Sequence, residues 1–356
     1  MTTIETTTAL QPERFGFRRR GAGWARSGAD GTTVAFAALA WPQAHAPSHY
    51  YDDRREPIAT DALNLIVHLQ GETWGMPPEE VVPANILAVL RDGGGSVLVA
   101  YRPEIGFNAD GWLGFAIALG GRNGVLVSHM LGVRDDVRGA GGVGWSLKVL
   151  QGCLAVETGH HAAVWTFDPM RGANARLNIE KLGATVGVLT LDKYGVLRSS
   201  LYGDVPSDRF TARWDLRAPR TAARLESVAC ERPPRDGGDA LAGIPQATPA
   251  TAARLALQQA PAVWYRIPAD IDALMRADPA AAIAWRGEMR AVLGHFLTVA
   301  RAAPQPAVAT DPSAIAEQVA PGAYVIARFV SFAAEAGERI NAYVLERRAT
   351  DPQEES

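Results

Sequence analysis

The chain has 356 residues, 35 of them basic and 38 acidic, a formal charge of −3, and 47% hydrophobic side chains. At roughly 100–200 residues per domain this length predicts two or three domains with cores of their own, and the balanced charge excludes non-specific binding to nucleic acid, which needs a dense basic surface. Two cysteines, Cys153 and Cys230, form no CxxC or CxxH pair, which argues against a disulfide framework or structural zinc site and fits a reducing, cytoplasmic setting.

Residues 1–57 read as an N-terminal tail and extension with one strand-like run, Thr32 to Ala40. The start of the chain is Thr-rich and acidic, unlike a signal peptide, and the apolar run after Arg18-Arg19-Arg20 is too short and too distant for an export signal. No run approaches the ~18 apolar residues of a membrane helix. From Thr60 an amphipathic helix is predicted as far as Gly71, and a second begins at Pro83 and ends at Gly93-Gly94-Gly95. Three strands follow, Ser96–Tyr101, Trp112–Leu119 and Val125–Val133, whose short connections predict an antiparallel meander. The third strand runs through a glycine-rich turn, Arg138 to Gly144, into a helix from Trp145 to Thr158. A strand (Ala162 to Phe167), a helix from about Arg171 to Leu182, a strand-like stretch from Ala184 to Leu191 and a last strand, Phe210 to Leu216, complete this region. Residues 217–251 read as a linker. Residues 252–347 read as a smaller C-terminal α/β unit with a helix from Pro279 to Arg301 and strands at Ala323–Phe332 and Arg339–Glu346, and 348–356 as a disordered tail.

Glycines 139, 141, 142 and 144 lie between a strand and a helix. Such a turn bends tightly and presents unbonded N–H groups at a helix N-terminus, where the dipole also favours a phosphate. Arg138 offers a charged contact to the same group. The alternative is a flexible connection without a ligand. A dinucleotide fold would place such a turn after the first strand of a parallel sheet, whereas here it follows an antiparallel meander.

The order of elements over residues 60–216, the run Val133 to Gly144, and the segment Ala175-Arg176-Leu177-Asn178-Ile179-Glu180-Lys181-Leu182-Gly183-Ala184 together resemble the GNAT superfamily of acyl-CoA-dependent N-acyltransferases. The blocks Ser128-His129-Met130, Trp165 to Pro169, Asn174 to Asn178 and Pro206 to Phe210 resemble a GNAT-like subfamily with an added C-terminal unit. The resemblance implies an α/β (α+β) fold: a mixed, mostly antiparallel sheet flanked by helices, as an acyltransferase core over 58–216. It implies acetyl-CoA or another acyl-CoA as co-substrate, held by Leu131, Val133, Arg138, Gly139, Gly141, Gly142, Gly144 and Asn174. It also implies direct attack of an amine on the thioester. The sequence departs from the family pattern at Val143, where a Gly or Ala is usual, at Asp135, where Pro is usual, and at Ile179, where the family often has an acidic tyrosine.

Such a reaction needs a base, oxyanion donors and a proton source for the thiolate. His129 is either a base in the cleft or a core histidine; by alternation it shares a strand face with Leu131 and Val133. Asp168 is either a base or a turn-capping residue, and Asn174 and Asn178, four apart on one helix face, bind cofactor amides or face solvent. Tyr194 and Tyr202 are either the nearest replacements for the missing acid or ordinary packing residues, the commoner role of a tyrosine. His45 and His49 bracket Pro47, and no metal constellation is expected. The leading expectation is N-acyl transfer to a small-molecule amine, an amino acid among the candidates, with the C-terminal unit closing over the acceptor or forming a homodimer. The alternatives are a GNAT-fold binding module without catalysis, or an enzyme using a carrier protein or aminoacyl-tRNA as donor, or decarboxylating a thioester. Neither a membrane nor, outside the tRNA alternative, a nucleic acid is an expected partner.

Overall fold

The computed structural model describes residues 10–28, 30–40, 60–90, 92–139, 142–195, 206–230, 238–301, 322–334 and 337–348. In chain order these form β1 (Phe17–Arg20), β2 (Gly23–Ser27), β3 (Thr33–Ala40), α1 (Thr60–Trp74), α2 (Ala84–Val89), β4 (Ser96–Tyr101), β5 (Trp112–Leu119), β6 (Val125–Val133), α3 (Val143–Glu157) and β7 (Ala162–Phe167). There follow α4 (Gly172–Ala175), a π-turn (Arg176–Lys181), β8 (Thr185–Leu191), β9 (Arg209–Asp215), α5 (Pro219–Ala229), α6 (Ala252–Leu257), β10 (Ala262–Ile267), α7 (Ile271–Ala277), α8 (Pro279–Leu293), β11 (Thr298–Arg301), β12 (Tyr324–Ala333) and β13 (Arg339–Arg347). The chain groups into two compact units. The first runs to Trp165 and takes in Trp214–Arg232; the second takes in Thr166–Arg198, Tyr202–Arg213 and the chain from Pro233. The boundary thus falls inside the segment 58–216.

In the first unit the strand order is β1-β2-β3-β4-β5-β6-β7, with antiparallel neighbours except for the parallel pair β6–β7. The meander β4-β5-β6 is as the turn-rich connections predict. Strand alternation divides its side chains between two helical layers. On one face, Leu63, Ile66 and Leu69 of α1 and Leu87 of α2 pack with Val97, Val99, Phe115 and Ile117. On the other lies α3 (VGWSLKVLQGCLAVE), whose predominantly apolar residues are spread around the helix, so that it is buried on nearly every side, Lys148 and Gln151 included. Glycines set how closely it approaches. A Cβ on Gly114 would stand 3.1 Å from Leu147 and 3.2 Å from Val143, and one on Gly152 would stand 2.6 Å from the Trp214 ring.

In the second unit the order is β9-β8-β12-β13-β10, all antiparallel, with β11 running parallel to β8 from Val188 to Leu191. Its core is aromatic: Phe210 stands edge-on to Phe167 and Tyr343, and Phe329 packs on Tyr343.

Several elements differ from the sequence expectation. The helix read as ending at Gly71 runs on to Trp74, whose indole packs against Phe115, and it stops at Gly75, which has φ +64°. The supposed N-terminal extension holds the hairpin β1–β2, short and half-exposed, so that its alternation carries little signal. Leu10, assigned to the tail, is buried. Residues 217–251 contain α5, which starts at Pro219 and buries Thr221 and Leu225, four apart on one face. The helix expected to reach Arg301 ends at Leu293, and Thr298–Arg301 is β11. The helix from 172 continues as a π-turn through Arg176–Lys181, with Leu182 N–H donating to Leu177 C=O at 3.0 Å. Asn178 is buried and Asn174 half-buried, and the π-turn between them departs from the regular four-residue repeat. No described helix is long and apolar enough to cross a membrane.

Candidate functional site

The parallel ladder between β6 and β7 has three pairs, Val125↔Ala162, Leu126↔Ala163 and Val127↔Val164. From Ser128 to Val133 the strand pairs only with β5 among the described residues. A β-strand has two hydrogen-bonding edges, and the edge that faced β7 has no strand partner there among the described residues; at its end the Val133 C=O accepts a 3.4 Å bond from the Arg138 guanidinium. This edge leads directly into the glycine turn.

A bulge sharpens the same segment. Ile117 pairs with Met130 and Ala118 with Ser128, so His129 is an extra residue in β6. The bulge corrects the alternation expected from sequence. Ser128 meets Lys148 of α3, and Leu131 and Val133 approach Gly144 of the same helix. Met130 instead packs on the α1–α2 core. Strict alternation is interrupted at His129 itself, the extra residue of the bulge, so the period of two does not carry across it from Leu131 and Val133. Its imidazole is exposed at its edge, and desolvation by the surrounding atoms holds its pKa below the usual histidine value. A neutral imidazole at neutral pH is an available base.

The turn itself is held by ion pairs. Arg134 makes two 2.7 Å bonds to Asp136 and a 3.0 Å bond to the Asp110 carbonyl, and Arg102 lies 3.6 Å from Asp136. Asp136 is therefore neutralised, and hydrogen bonding from Arg134 holds its pKa below the usual carboxylate value. Arg138 pairs with Asp135 at 2.5 Å, both side chains exposed. An exposed pair of this kind is worth ~0–1 kcal/mol, so exchanging Asp135 for a phosphate costs Arg138 little. Gly139 has φ +84° and a Cβ there would meet no atom within 4 Å; Gly142 has φ +64° and caps α3. Gly141 lies outside the described residues.

The departure at Val143 is absorbed by α3. Val143 is its first residue, with its side chain buried against β5, while the N–H groups of Val143, Gly144 and Trp145 precede the first helical bond, Ser146 N–H to Gly142 C=O. Gly144 lies beside Val133 and Leu131, where a Cβ would make ordinary van der Waals contact, and its N–H is left at the helix end. One cation is unforeseen by sequence reasoning: Arg26, from β2, stacks over Trp145 at 4.8 Å, and its guanidinium is 3.8 Å from where a Gly142 Cβ would stand.

Lys148 was also missed, although a lysine between Leu147 and Val149 in a predominantly apolar helix was a readable signal. Its ammonium is buried, donates to Ser128 Oγ at 2.7 Å and sits 3.5 Å from the centre of the Trp165 ring. Burial pushes its pKa down to about 7. An unfolded lysine keeps its proton to about pH 10.4, so between about pH 7 and 10 the unfolded chain binds the extra proton and stability rises with pH. Lys148→Met removes this cost. It is expected to raise stability at pH 7 by about 1–4 kcal/mol, and the advantage over wild type is expected to shrink by about 1 kcal/mol per pH unit toward pH 9. Urea denaturation of both proteins at the two pH values checks this, and a difference that does not change with pH would count against it.

The remaining predicted residues lie in the second unit. Asp168 is buried, accepts from Met170 N–H at 2.9 Å and is gripped by Arg286 at 2.8 and 3.1 Å. Burial alone would raise its pKa, but the Arg286 hydrogen bonds and charge overcome this and hold it below the usual carboxylate value. Its oxygens are thus committed to a turn and an ion pair. Tyr194 is half-exposed, with its hydroxyl 3.0 Å from Thr166 Oγ1 and the Arg209 guanidinium 5.4 Å from its ring. Asn174 is on α4, and Tyr202, His45 and His49 lie outside the described residues.

No protein family matches the chain in sequence, and no curated protein does. Among solved structures, the fold is similar to a GNAT-family protein from Desulfovibrio desulfuricans (18% identity, 51% of this chain and 99% of that one, TM-score 0.35). It is also similar to an IAA acetyltransferase from Bacillus cereus (14%, 51% and 99%, TM-score 0.34) and to a Salmonella typhimurium protein solved with acetyl-CoA (18%, 46% and 91%, TM-score 0.34).

Proposed function

We propose that the chain is an acyl-CoA-dependent N-acyltransferase acting on the amine of a small metabolite, with amino acids among the candidate acceptors. The observation that carries this reading is the opened edge of β6, Ser128 to Val133, leading into a glycine turn and the N-terminus of α3. An extended amide-bearing chain ending in a pyrophosphate matches those two features in sequence: strand-edge donors and acceptors first, helix-end N–H groups next. At Gly139 a Cβ would meet no atom within 4 Å among the described residues.

When bound, acyl-CoA supplies an activated acyl thioester. The N–H groups of Gly139, Val143, Gly144 and Trp145 hold the pyrophosphate, with Arg138 and Arg26 as the nearby cations. Leu131 and Val133 offer backbone groups to the pantetheine arm. His129, neutral at working pH, takes the proton from the acceptor ammonium and leaves its nitrogen lone pair free to attack. The near-neutral net charge makes this local arrangement necessary, since no global positive field attracts an anion.

Calorimetry with CoA, acetyl-CoA and succinyl-CoA tests the reading, and failure of all three to bind would refute it. Gly139→Ala gives the site-specific arm. A non-glycine residue at positive φ costs ~1–2 kcal/mol, so CoA affinity is expected to fall about 5–30-fold as the turn relaxes to another conformation.

A further inference from the structure

We propose that Lys148, acting through the Ser128 hydroxyl, is the proton donor to the departing thiolate, an inference that rests on the acyl-CoA reading above. Its position is the argument. The β6–β7 ladder ends at Val127↔Val164, so Ser128 and Trp165 are the first residues past the fork on the two strands. Lys148 touches both, through its 2.7 Å bond to Ser128 Oγ and its 3.5 Å approach to the Trp165 ring. It stands at the point where the strands separate, beneath the edge assigned to the pantetheine arm.

The environment is that of a proton donor rather than of a structural ion pair. No carboxylate pairs with Lys148 among the described residues; a serine hydroxyl and an indole face are its partners. Around it, β5 and β7 carry no titratable side chain, β4 carries Tyr101, and β6 carries His129. The turn at Pro12–Phe15 that packs on α3 carries Glu13 and Arg14, Arg26 stacks on Trp145, and α3 itself carries Cys153 and Glu157. None of these enters the shift in Lys148, whose one cause is burial. A buried cation so poorly compensated is less stable than a hydrocarbon of the same shape, and ionisable groups perturbed in this way cluster at functional sites. The tyrosine that the family often uses as an acid is here Ile179, buried in the second unit's core.

The step balances without a further reagent. As the acceptor nitrogen bonds to the thioester carbon, the C–S bond breaks and its electron pair stays on sulfur. Sulfur takes the Ser128 hydroxyl proton, Ser128 takes a proton from Lys148 Nζ, and the neutral amine regains its proton from solvent.

The test does not need the acceptor. CoA bound to the full chain is titrated by the ultraviolet absorbance of its thiolate, in wild type, Lys148→Met and Ser128→Ala, with desulfo-CoA affinity measured in parallel. A nearby ammonium favours the thiolate, so the bound thiol is expected to titrate at least about one pH unit lower in wild type than in Lys148→Met, with Ser128→Ala between them and desulfo-CoA affinity within about twofold throughout. Identical thiol titration in wild type and Lys148→Met overturns the proposal. Should Lys148→Met fail to fold, a wild-type-like titration in Ser128→Ala overturns it equally. A wild type that binds neither CoA nor desulfo-CoA instead refutes the acyl-CoA reading, and this inference with it.

Discussion

Asp168→Asn is expected to lower the stability of the protein by about 3–5 kcal/mol, the cost of leaving a buried charge without its partner. The Arg286 guanidinium, buried with Asp168, makes its 2.8 and 3.1 Å bonds to the two carboxylate oxygens, and a neutral amide offers it one acceptor and no charge. Arg286→Met is expected to cost a similar amount, stranding the carboxylate instead. The double variant, which removes both charges, is expected to recover much of the loss, so that a double-mutant cycle gives a large coupling energy. Asp168 has a folded pKa below its unfolded value, so its contribution is complete above about pH 4 and vanishes as pH falls through the folded value. The wild type is therefore expected to lose stability more steeply than Asp168→Asn on acidification below pH 4. Chemical denaturation at pH 7 and pH 3 measures both effects; single variants within about 0.5 kcal/mol of wild type at pH 7 would show that the pair is not a buried one in solution.

The second large effect concerns turnover. His129→Ala is expected to reduce kcat/KM for acetyl transfer by about 10²–10⁴-fold, the usual contribution of a positioned general base, with CoA affinity nearly unchanged. The histidine's depressed pKa sets the expected pH dependence: if the neutral imidazole is the base, activity is expected to fall as pH drops through a value below about 6.5. In His129→Ala that acid limb disappears along with the rate. Thiol release from acetyl-CoA over a panel of amino acids and small amines, followed from pH 5 to 9, reads both quantities. Full activity in the variant would remove His129 from the mechanism while leaving the fold and the acyl-donor site untouched.

These two residues illustrate how far the sequence was readable. His129 was legible as a candidate because it lies on a strongly patterned strand just before the glycine turn. Its facing was not: strict alternation groups it with Leu131 and Val133, but the bulge at His129 interrupts that period and depends on the register against Ile117 and Ala118. Asp168 was legible as a turn former from Asp168-Pro169. Its decisive partner, Arg286, is 118 residues away and no local pattern announces it. The hairpin β1–β2 was missed because half-exposed short strands have weak periodicity, and with it Arg26, which reaches the glycine turn from a distant part of the chain.

The sequence by itself determined the strands β4, β5, β6 and β7, the helix α3 and the glycine turn between them, because hydrophobic period and glycine placement are local properties of the backbone. It also determined that any anion must be held locally, since the net charge is near zero. The tertiary structure decided which groups work together. Where the β6–β7 ladder ends, which side chains the bulge turns toward α3, and the burial of Lys148 between Ser128 and Trp165 all depend on register and through-space packing. A pattern of apolar residues specifies that a face is buried; only the folded chain specifies what it is buried against, and therefore where a charge is left without water.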